Sequence, residues 1–140
     1  MKAKPVLTIL ISVFLIMSLL PASVFAAAGS EDIPYYDLDG SVKTVEAGQY
    51  EEVASSTTSW SSNEKSWYVV TGNVTISDLV KVKGSVNLIL CDGATLTTKK
   101  GIKVEDKDSL TIYAQSEENK GKLITTGEAF QAGIGGSDCE

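Results

Sequence analysis

The sequence predicts an all-β protein built as a right-handed parallel β-helix, and three observations carry that prediction. From Trp67 onward, apolar residues alternate with polar ones at the period of a β-strand. Apolar positions coincide when the chain is compared with itself at a shift of 22 residues. Glycines also separate the short apolar runs, at Gly72, Gly84, Gly93, Gly101 and Gly121.

Residues 1–26 have the layout of a secretory signal peptide. Lys2 and Lys4 give a positive start, residues 6–20 form an apolar run, and Val24 and Ala26 are the small residues before a cleavage site. The apolar run is shorter than the roughly 20 residues of a membrane-spanning helix. We therefore expect a secreted, extracellular protein, free or associated with the cell wall, with no stable membrane insertion after cleavage.

The remainder of the chain is acidic. It holds all 18 Asp and Glu residues but only ten of the 12 Lys, because Lys2 and Lys4 lie in the leader, so its net charge is about −8. The chain has no Arg and no His. Cationic contacts to phosphate supply most of the affinity for nucleic acids, so nucleic acid is not an expected partner. We interpret the acidity as keeping a secreted β protein soluble.

Residues 27–66 are expected to form an N-terminal cap, a hairpin and a linker. Asp39–Gly40 lies between two apolar runs and predicts a two-residue hairpin turn with positive φ at both positions. The polar stretch EEVASSTTSWSSNEKSW predicts a loop with little regular structure.

Residues 67–140 are expected to form the first coils of the β-helix, each with three short strands and three turns in about 22 residues. A third copy includes Leu123, aligned with Leu96, and Gly133–Ile134, aligned with Gly101–Ile102. An antiparallel sandwich is the alternative, but it gives no reason for a constant register. The pairs aligned by the shift are Val74 with Leu96, Val80 with Ile102, Val82 with Val104, Leu88 with Leu110, and Leu90 with Ile112.

The third coil stops at GIGGSDCE with no cap in view. An uncapped coil would expose unpaired strand edges. We therefore expect a longer reading frame, truncated here at the C-terminus, in which further coils of the same β-helix continue the stack.

Several segments resemble a known family: SWYVVTGNVTI, GSVNLILCDGATLT, GIKVEDKDSLTIYAQS, GKLITTG and AGIGG. They are similar to those of large secreted or cell-wall proteins of anaerobic Gram-positive bacteria that carry pectate-lyase-like β-helices. The resemblance covers about residues 35–136. It implies an adhesin-like or carbohydrate-binding surface protein without an established catalytic site, whose partners are glycans or host or cell-wall polysaccharide.

Four residues are candidates for carbohydrate binding: Trp67, Tyr113, Lys81 and Lys103. The resemblance brings in lyases that use an Arg or Lys base, and Lys81 and Lys103 align at the shift and face outward as an alternative base arrangement. A solvated ladder that discourages edge pairing is the interpretation we favour for them. Trp67 aligns with Ile89 and Thr111 and would present its ring outward or, as we favour, pack under the hairpin and close the column.

Glu105, Asp106 and Asp108 form an acidic turn that is a candidate metal site or part of a carboxylate pair. The spacing is not that of a calcium-binding repeat, and Lys83 of the preceding coil is expected to form a surface ion pair with Glu105. We expect no cofactor, with Ca²⁺ as the alternative.

Cys91 and Cys139 are expected to lie at different corners about two coils apart. Two strand spacings are about 9–10 Å, beyond the roughly 7 Å between Cα atoms that a disulfide spans. We expect no bridge between them within the chain.

The function predicted from these patterns is a non-catalytic secreted surface module that is adhesin-like or binds carbohydrate, and no catalytic residue is assigned. Two alternatives stay open. One is a polysaccharide lyase or glycoside hydrolase whose active residues lie in further coils, and the other is a structural stalk.

Overall fold

The computed structural model describes residues 29, 31–129 and 131–136, and in these ranges the protein is all-β, with strands and no helix. Within the same ranges, no helix is long and apolar enough to cross a membrane. The leader expected over residues 1–26 lies outside the described residues. The strands are β1 Ile33–Tyr36, β2 Val42–Val45, β3 Tyr50–Glu52, β4 Ser59–Ser61, β5 Trp67–Val70, β6 Asn73–Ile76, β7 Val80–Lys83, β8 Ser85–Leu90, β9 Thr95–Thr98, β10 Ile102–Val104, β11 Ser109–Ala114, β12 Lys122–Thr125 and β13 Ile134–Gly135.

All strands after the β1–β2 hairpin belong to three parallel sheets. Sheet 1 has the order β11-β8-β5-β3, sheet 2 the order β12-β9-β6, and sheet 3 the order β13-β10-β7-β4. From β5 to β13 the chain visits sheets 1, 2 and 3 in strict rotation. Neighbouring strands within each sheet therefore come from successive passages of the chain, and every such pair is parallel.

The register predicted by the 22-residue shift is confirmed in sheets 2 and 3. The alignments predicted for the third copy are also confirmed there. The observed partners are Val74 with Leu96, Val80 with Ile102, Val82 with Val104, Leu123 with Leu96, and Ile134 with Ile102.

The predicted register is wrong in sheet 1 by two residues. Leu88 pairs with Ile112 and not with Leu110, and Leu90 pairs with Ala114 and not with Ile112. The same error affects Trp67 in this sheet.

Trp67 pairs with Asn87 and not with Ile89, although Thr111 does lie in the same row. The offset between β8 and β11, which pairs Leu88 with Ile112, comes from the length of one corner between sheets 3 and 1. The chain takes three residues from Val82 to Ser85 but five between their partners, Val104 and Ser109. Because the offset is even, inward residues stay inward, so the apolar pattern matches at either register.

The predicted hairpin forms, but its loop is longer than two residues. β1 and β2 pair antiparallel and are joined by residues 37–41. Gly40 has φ 80°, whereas Asp39 is not among the described residues with positive φ, so the expected turn type is wrong. Asp39 instead accepts hydrogen bonds from the amide and hydroxyl groups of Ser41, at 2.8 and 2.6 Å, and this side-chain cap closes the longer loop.

The Ser/Thr-rich stretch expected to be a loop contains two strands. β3 pairs with β5, and β4 pairs with β7, which places Trp60 opposite Val82. These two residues are 22 positions apart, so the same shift, extended one unit toward the N-terminus, would have marked β4. The expectation of an irregular loop is therefore wrong for residues 51–52 and 59–61.

The core lies between the three sheets. At one end the rings of Trp60 and Tyr68 stack with centroids 5.7 Å apart, and both side chains are fully buried. At the other end Ile112 and Ile134 are 39% and 44% exposed. Between the ends lies a column of buried side chains from all three sheets: Ile76, Val80, Val82, Leu88, Leu96 and Ile102.

Sheet 1 is also covered on its outer face. Val69 and Ile89, which share that face with Trp67, are fully buried. Tyr35 of the hairpin is buried and packs on Trp67. The hairpin therefore covers the side of sheet 1, while Trp60 fills the end of the core that Trp67 was expected to close.

Cys91 follows β8, is free, and is 6% exposed. Burial raises the pKa of its thiol from 9.0 to about 11, and the carboxylates of Asp92 and Glu52 add to the rise. Cys139 lies outside the described residues, so the expected absence of a bridge stays a prediction.

The Cys91 thiol gives the protein a pH-dependent stability. Between pH 9 and 11 an unfolded thiol ionises while the folded one keeps its proton, so the free energy of unfolding falls as pH rises, by about 2 kcal/mol over the window. Urea unfolding at pH 7.5, 9 and 10.5 measures this fall. The Cys91→Ala variant should lose less stability over the same range, and equal losses in both proteins would contradict a buried thiol.

Candidate functional site

Three aromatic rings from separate elements meet on the outer face of sheet 1. Tyr35 of β1 lies 4.8 Å from Trp67 of β5 and 4.9 Å from Tyr113 of β11, measured between ring centroids. Trp67 and Tyr113 are 5.4 Å apart. Strand alternation places the latter two outward on sheet 1, and the hairpin brings Tyr35 onto them. Tilted and edge contacts at these distances are favourable, so the three rings hold one another in place.

A cleft of about 670 Å³ opens beside this aromatic cluster. Tyr35 and Trp67 form part of its wall. The rest comes from two short segments, residues 44–49 after the start of β2 and residues 62–66 between β4 and β5. Its volume lies within the range of about 300–1,000 Å³ that is typical of small-ligand sites.

The walls of the cleft are held by hydrogen bonds from the hairpin side and the sheet side. The amide of Ala47 donates to Oδ1 of Asp32 at 2.9 Å, and the amide of Gly48 donates to the carbonyl of Gly29 at 2.8 Å. On the other wall, Nζ of Lys65 donates to the carbonyl of Tyr50 at 3.1 Å. These hydrogen bonds fix the two walls of the cleft relative to the hairpin and to β3.

The polar side chains of the cleft carry carboxylates, an amide, hydroxyls and the ammonium group of Lys65. Glu46 and Gln49 line one wall, and Ser62, Glu64 and Ser66 line the other. These groups accept and donate hydrogen bonds beside an aromatic face. The arrangement suits a ligand that has many hydroxyl groups and also an apolar ring face.

The structure brings one of the predicted sugar-binding residues into the cleft. Trp67 is half-buried and lines it, so its ring packs under the hairpin and also borders the opening. The ring of Tyr113 packs against the ring of Trp67, and the hydroxyl of Tyr113 donates to Oδ1 of Asn87 at 3.5 Å. Burial raises the pKa of Tyr113, with a smaller rise from the nearby charge of Asp37.

Sequence reasoning missed the other residues of the cleft. Glu46, Gln49, Glu64 and Lys65 fall in the region assigned to a cap and linker. The signal that could have found part of this site is the 22-residue shift from Val82 back to Trp60, which fixes β4 and so places residues 62–66 directly after a strand. No local pattern indicates that the hairpin folds onto sheet 1.

The predicted pair Lys81 and Lys103 lies on the outer face of sheet 3. The two residues are partners in the β7–β10 register, and Lys83 projects from the same side two residues further along β7. With Val82 and Glu105 they line a groove of about 280 Å³. We call this the lysine groove, defined by Lys81, Lys83, Lys103 and Glu105.

Glu105 is the anionic member of the lysine groove. Its Oε1 lies 2.7 Å from Nζ of Lys103, so the closest ion pair is within β10 and its corner rather than with Lys83 as expected. Lys103 lowers the pKa of Glu105 by hydrogen bonding and charge, and Lys81 and Lys83 lower it further. All three ammonium groups therefore act on one carboxylate.

Two carboxylates of the acidic turn that was a candidate metal site have separate partners in the structure. Glu105 pairs with Lys103, and Oδ1 of Asp108 accepts a hydrogen bond from the amide of Gly84 at 2.8 Å. Among the described residues, there is no group of three or more Asp, Glu, Cys or His side chains that could hold a metal ion. A calcium site that includes Asp106 stays a prediction.

Comparison of this chain with protein-family models, with curated proteins and with solved structures gives no significant match. The resemblance to pectate-lyase-like surface proteins stays a prediction. The function is therefore argued from the geometry of the cleft and of the lysine groove.

Proposed function

We propose that this protein is a non-catalytic secreted surface module that binds glycans in the cleft beside Trp67. The observation that carries the proposal is the pairing of aromatic rings with polar walls in a cleft of about 670 Å³. A sugar ring has an apolar face that packs on an aromatic side chain and hydroxyl groups that need hydrogen-bond partners. The cleft offers both kinds of contact at once.

The aromatic wall favours binding because it is ordered before the ligand arrives. Trp67 contacts Tyr35 and Tyr113 at ring distances of 4.8 and 5.4 Å. A side chain already fixed by neighbours loses little conformational freedom when a ligand docks, and this reduces the entropic cost of binding.

The charges of the cleft favour neutral or amino sugars. Its lining includes Glu46 and Glu64 against Lys65, whose ammonium group already donates to the carbonyl of Tyr50. The resulting negative potential would repel a glycan that carries carboxylates at this site. Cell-wall or host polysaccharides built of neutral or amino sugars are therefore the class we assign to it.

The scaffold that presents the cleft is, in this proposal, a right-handed parallel β-helix. Support comes from the rotation of the chain through three parallel sheets and from the inward ladder of Val80, Ile102 and Ile134. Connections between parallel strands of one sheet are right-handed in about 98% of cases, which supports the hand. Such a stack holds its surface side chains rigidly, as a binding module requires.

A second candidate function is glycoside hydrolysis. Glu46 and Glu64 stand on different walls of the same cleft, and two carboxyl groups across a cleft are the catalytic groups of most glycosidases. We rank this second because no described contact distinguishes one of these carboxyls as an acid and the other as a base.

The test begins with the chain lacking residues 1–26 on an array of neutral, amino and acidic glycans, followed by calorimetry on the best ligand. Trp67→Ala should weaken binding at least tenfold, and Trp67→Phe should weaken it less. Tyr36→Ala is the matched control, because Tyr36 is a hairpin aromatic that does not line the cleft. Equal affinity of wild type and Trp67→Ala would refute the proposal.

An activity assay on the same ligands separates the two candidates. If the wild type produces new reducing ends and neither Glu46→Gln nor Glu64→Gln does, the protein is a hydrolase and the non-catalytic binding module is refuted. Binding without products is the result expected of the module.

A further inference from the structure

We infer that the lysine groove is a second binding site, which takes a divalent oxyanion of the phosphate monoester class, such as a phosphate ester on a polymer. It lies on sheet 3, whereas the glycan cleft lies beside sheet 1, and the two sites share no lining residue. The inference does not depend on glycan binding in the cleft.

The strand geometry concentrates three cationic side chains on one small area. Lys81 and Lys103 are register partners on neighbouring strands, which lie about 4.8 Å apart. Lys83 is two residues along from Lys81 on the same face, about 6.7 Å away along the strand. Val80 and Val82 alternate with Lys81 and Lys83 along β7 and are buried in the core. The lysine side chains of this strand therefore extend outward.

The charge of the groove opposes that of the protein. The whole chain has a net charge of −6, yet the groove combines three lysines with one glutamate and is locally positive. The outward positions of β6 and β9 on sheet 2 are Asn73, Thr75, Thr95 and Thr97. Among the outward positions of β6, β9 and β12 on sheet 2, Lys122 is the one lysine, so the cluster of three lies on sheet 3.

The groove already stabilises one oxyanion, which is its own Glu105. Oε1 of that carboxylate lies 2.7 Å from Nζ of Lys103, and the charges of Lys81 and Lys83 also stabilise its ionised form. After this pairing, two positive charges remain to be balanced. A phosphate monoester, which carries close to two negative charges at neutral pH, matches the ammonium groups of Lys81 and Lys83, whereas a sulfate ester or a carboxylate carries only one.

The chemistry of the surrounding groups fits the same ligand. Lysine ammonium groups are compact charges with three donors each and bind tetrahedral oxyanions without a planar fork. Ser59 of β4 pairs in register with Lys81 and extends the face with an exposed hydroxyl. The site therefore offers donors and no additional carboxylate along this row of sheet 3.

The experiment compares four polymers with one backbone: dextran, carboxymethyl dextran, dextran sulfate and dextran phosphate of equal length. Binding to the chain without residues 1–26 is measured by biolayer interferometry at low and at physiological salt. We expect dextran phosphate to bind at least tenfold more tightly than dextran sulfate and carboxymethyl dextran, whose groups carry one charge each, and neutral dextran to show no binding at the groove. Affinity should fall as salt rises, because the contacts are exposed.

Three variants assign the binding to the groove. Lys81→Gln combined with Lys83→Gln should weaken binding to dextran phosphate at least tenfold and leaves the Lys103–Glu105 pair in place. Glu105→Gln should strengthen it severalfold, since the competing carboxylate is removed. Lys120→Gln combined with Lys122→Gln removes the same charge from outside the groove and should change affinity by less than twofold.

The outcomes decide between the inference and its alternatives. Equal affinity of wild type and the Lys81/Lys83 double variant would overturn the site, as would a control double variant that is equally weakened. Equal binding of dextran phosphate and of dextran sulfate or carboxymethyl dextran would overturn the assignment to a divalent oxyanion. Loss of neutral-glycan binding in Trp67→Ala with polyanion binding retained would show that the two sites are independent.

Discussion

Replacing Leu96 with lysine is expected to unfold the protein. Leu96 is fully buried in sheet 2, where it lies between Val74 and Leu123 of the neighbouring strands. An ammonium group at this position would have to be buried without a partner, at a cost of several kcal/mol in folding free energy. Domains of this size are stable by only about 5–15 kcal/mol. Far-UV circular dichroism and urea titration measure the loss.

The neighbouring residue gives a matched control. Thr97 follows Leu96 in β9 and points to the opposite side of the same strand. Thr97→Lys introduces the same charge on the outer face and should change the free energy of unfolding by less than about 0.5 kcal/mol. A Leu96→Lys protein that unfolds at the wild-type urea concentration would show that Leu96 does not face the core.

The opposite orientations of Leu96 and Thr97 could be predicted from the sequence, because successive residues of a strand point to opposite faces of the sheet. The 22-residue shift also located the partners in sheets 2 and 3, as Val80 and Ile102 illustrate. It failed in sheet 1, where Leu88 meets Ile112. An offset of two residues leaves the same side chains inward, so hydrophobic periodicity does not distinguish the two registers. The length of the corner before Ser109 decides, and its Asp- and Lys-rich residues carry no apolar signal.

The candidate site was predicted less completely, for a physical reason. Trp67 was recognised as either a surface ring or a packing residue, and it serves both roles because the hairpin covers it only in part. Glu46 and Glu64 come from two polar segments that meet only after the hairpin packs on sheet 1. Such a contact depends on tertiary packing and not on any period in the chain. Lys81 and Lys103 were predictable because strand register alone places them together.

Trp60→Ala is expected to lower the free energy of unfolding by about 3–5 kcal/mol, since a fully buried indole would leave a large cavity. Its ring stacks on Tyr68, and its Nε1 donates to the carbonyl of Thr57 at 3.1 Å. The side chain therefore ties the β3–β4 region to the end of the core. Urea unfolding measures the loss, with Trp60→Phe as the control that keeps most of the packing and should lose less.

The same variants report on the cleft. The chain has two tryptophans, so Trp67 is the remaining indole in either variant and its fluorescence monitors the hairpin-covered face. The amide of Ser61 donates to the hydroxyl of Tyr68 at 2.8 Å, just before the wall formed by residues 62–66. A cavity at Trp60 should loosen this anchor and weaken glycan binding even under conditions where Trp60→Ala is fully folded. Unchanged stability in Trp60→Ala would mean that β4 is not part of the folded core, and the cleft would then have only one fixed wall.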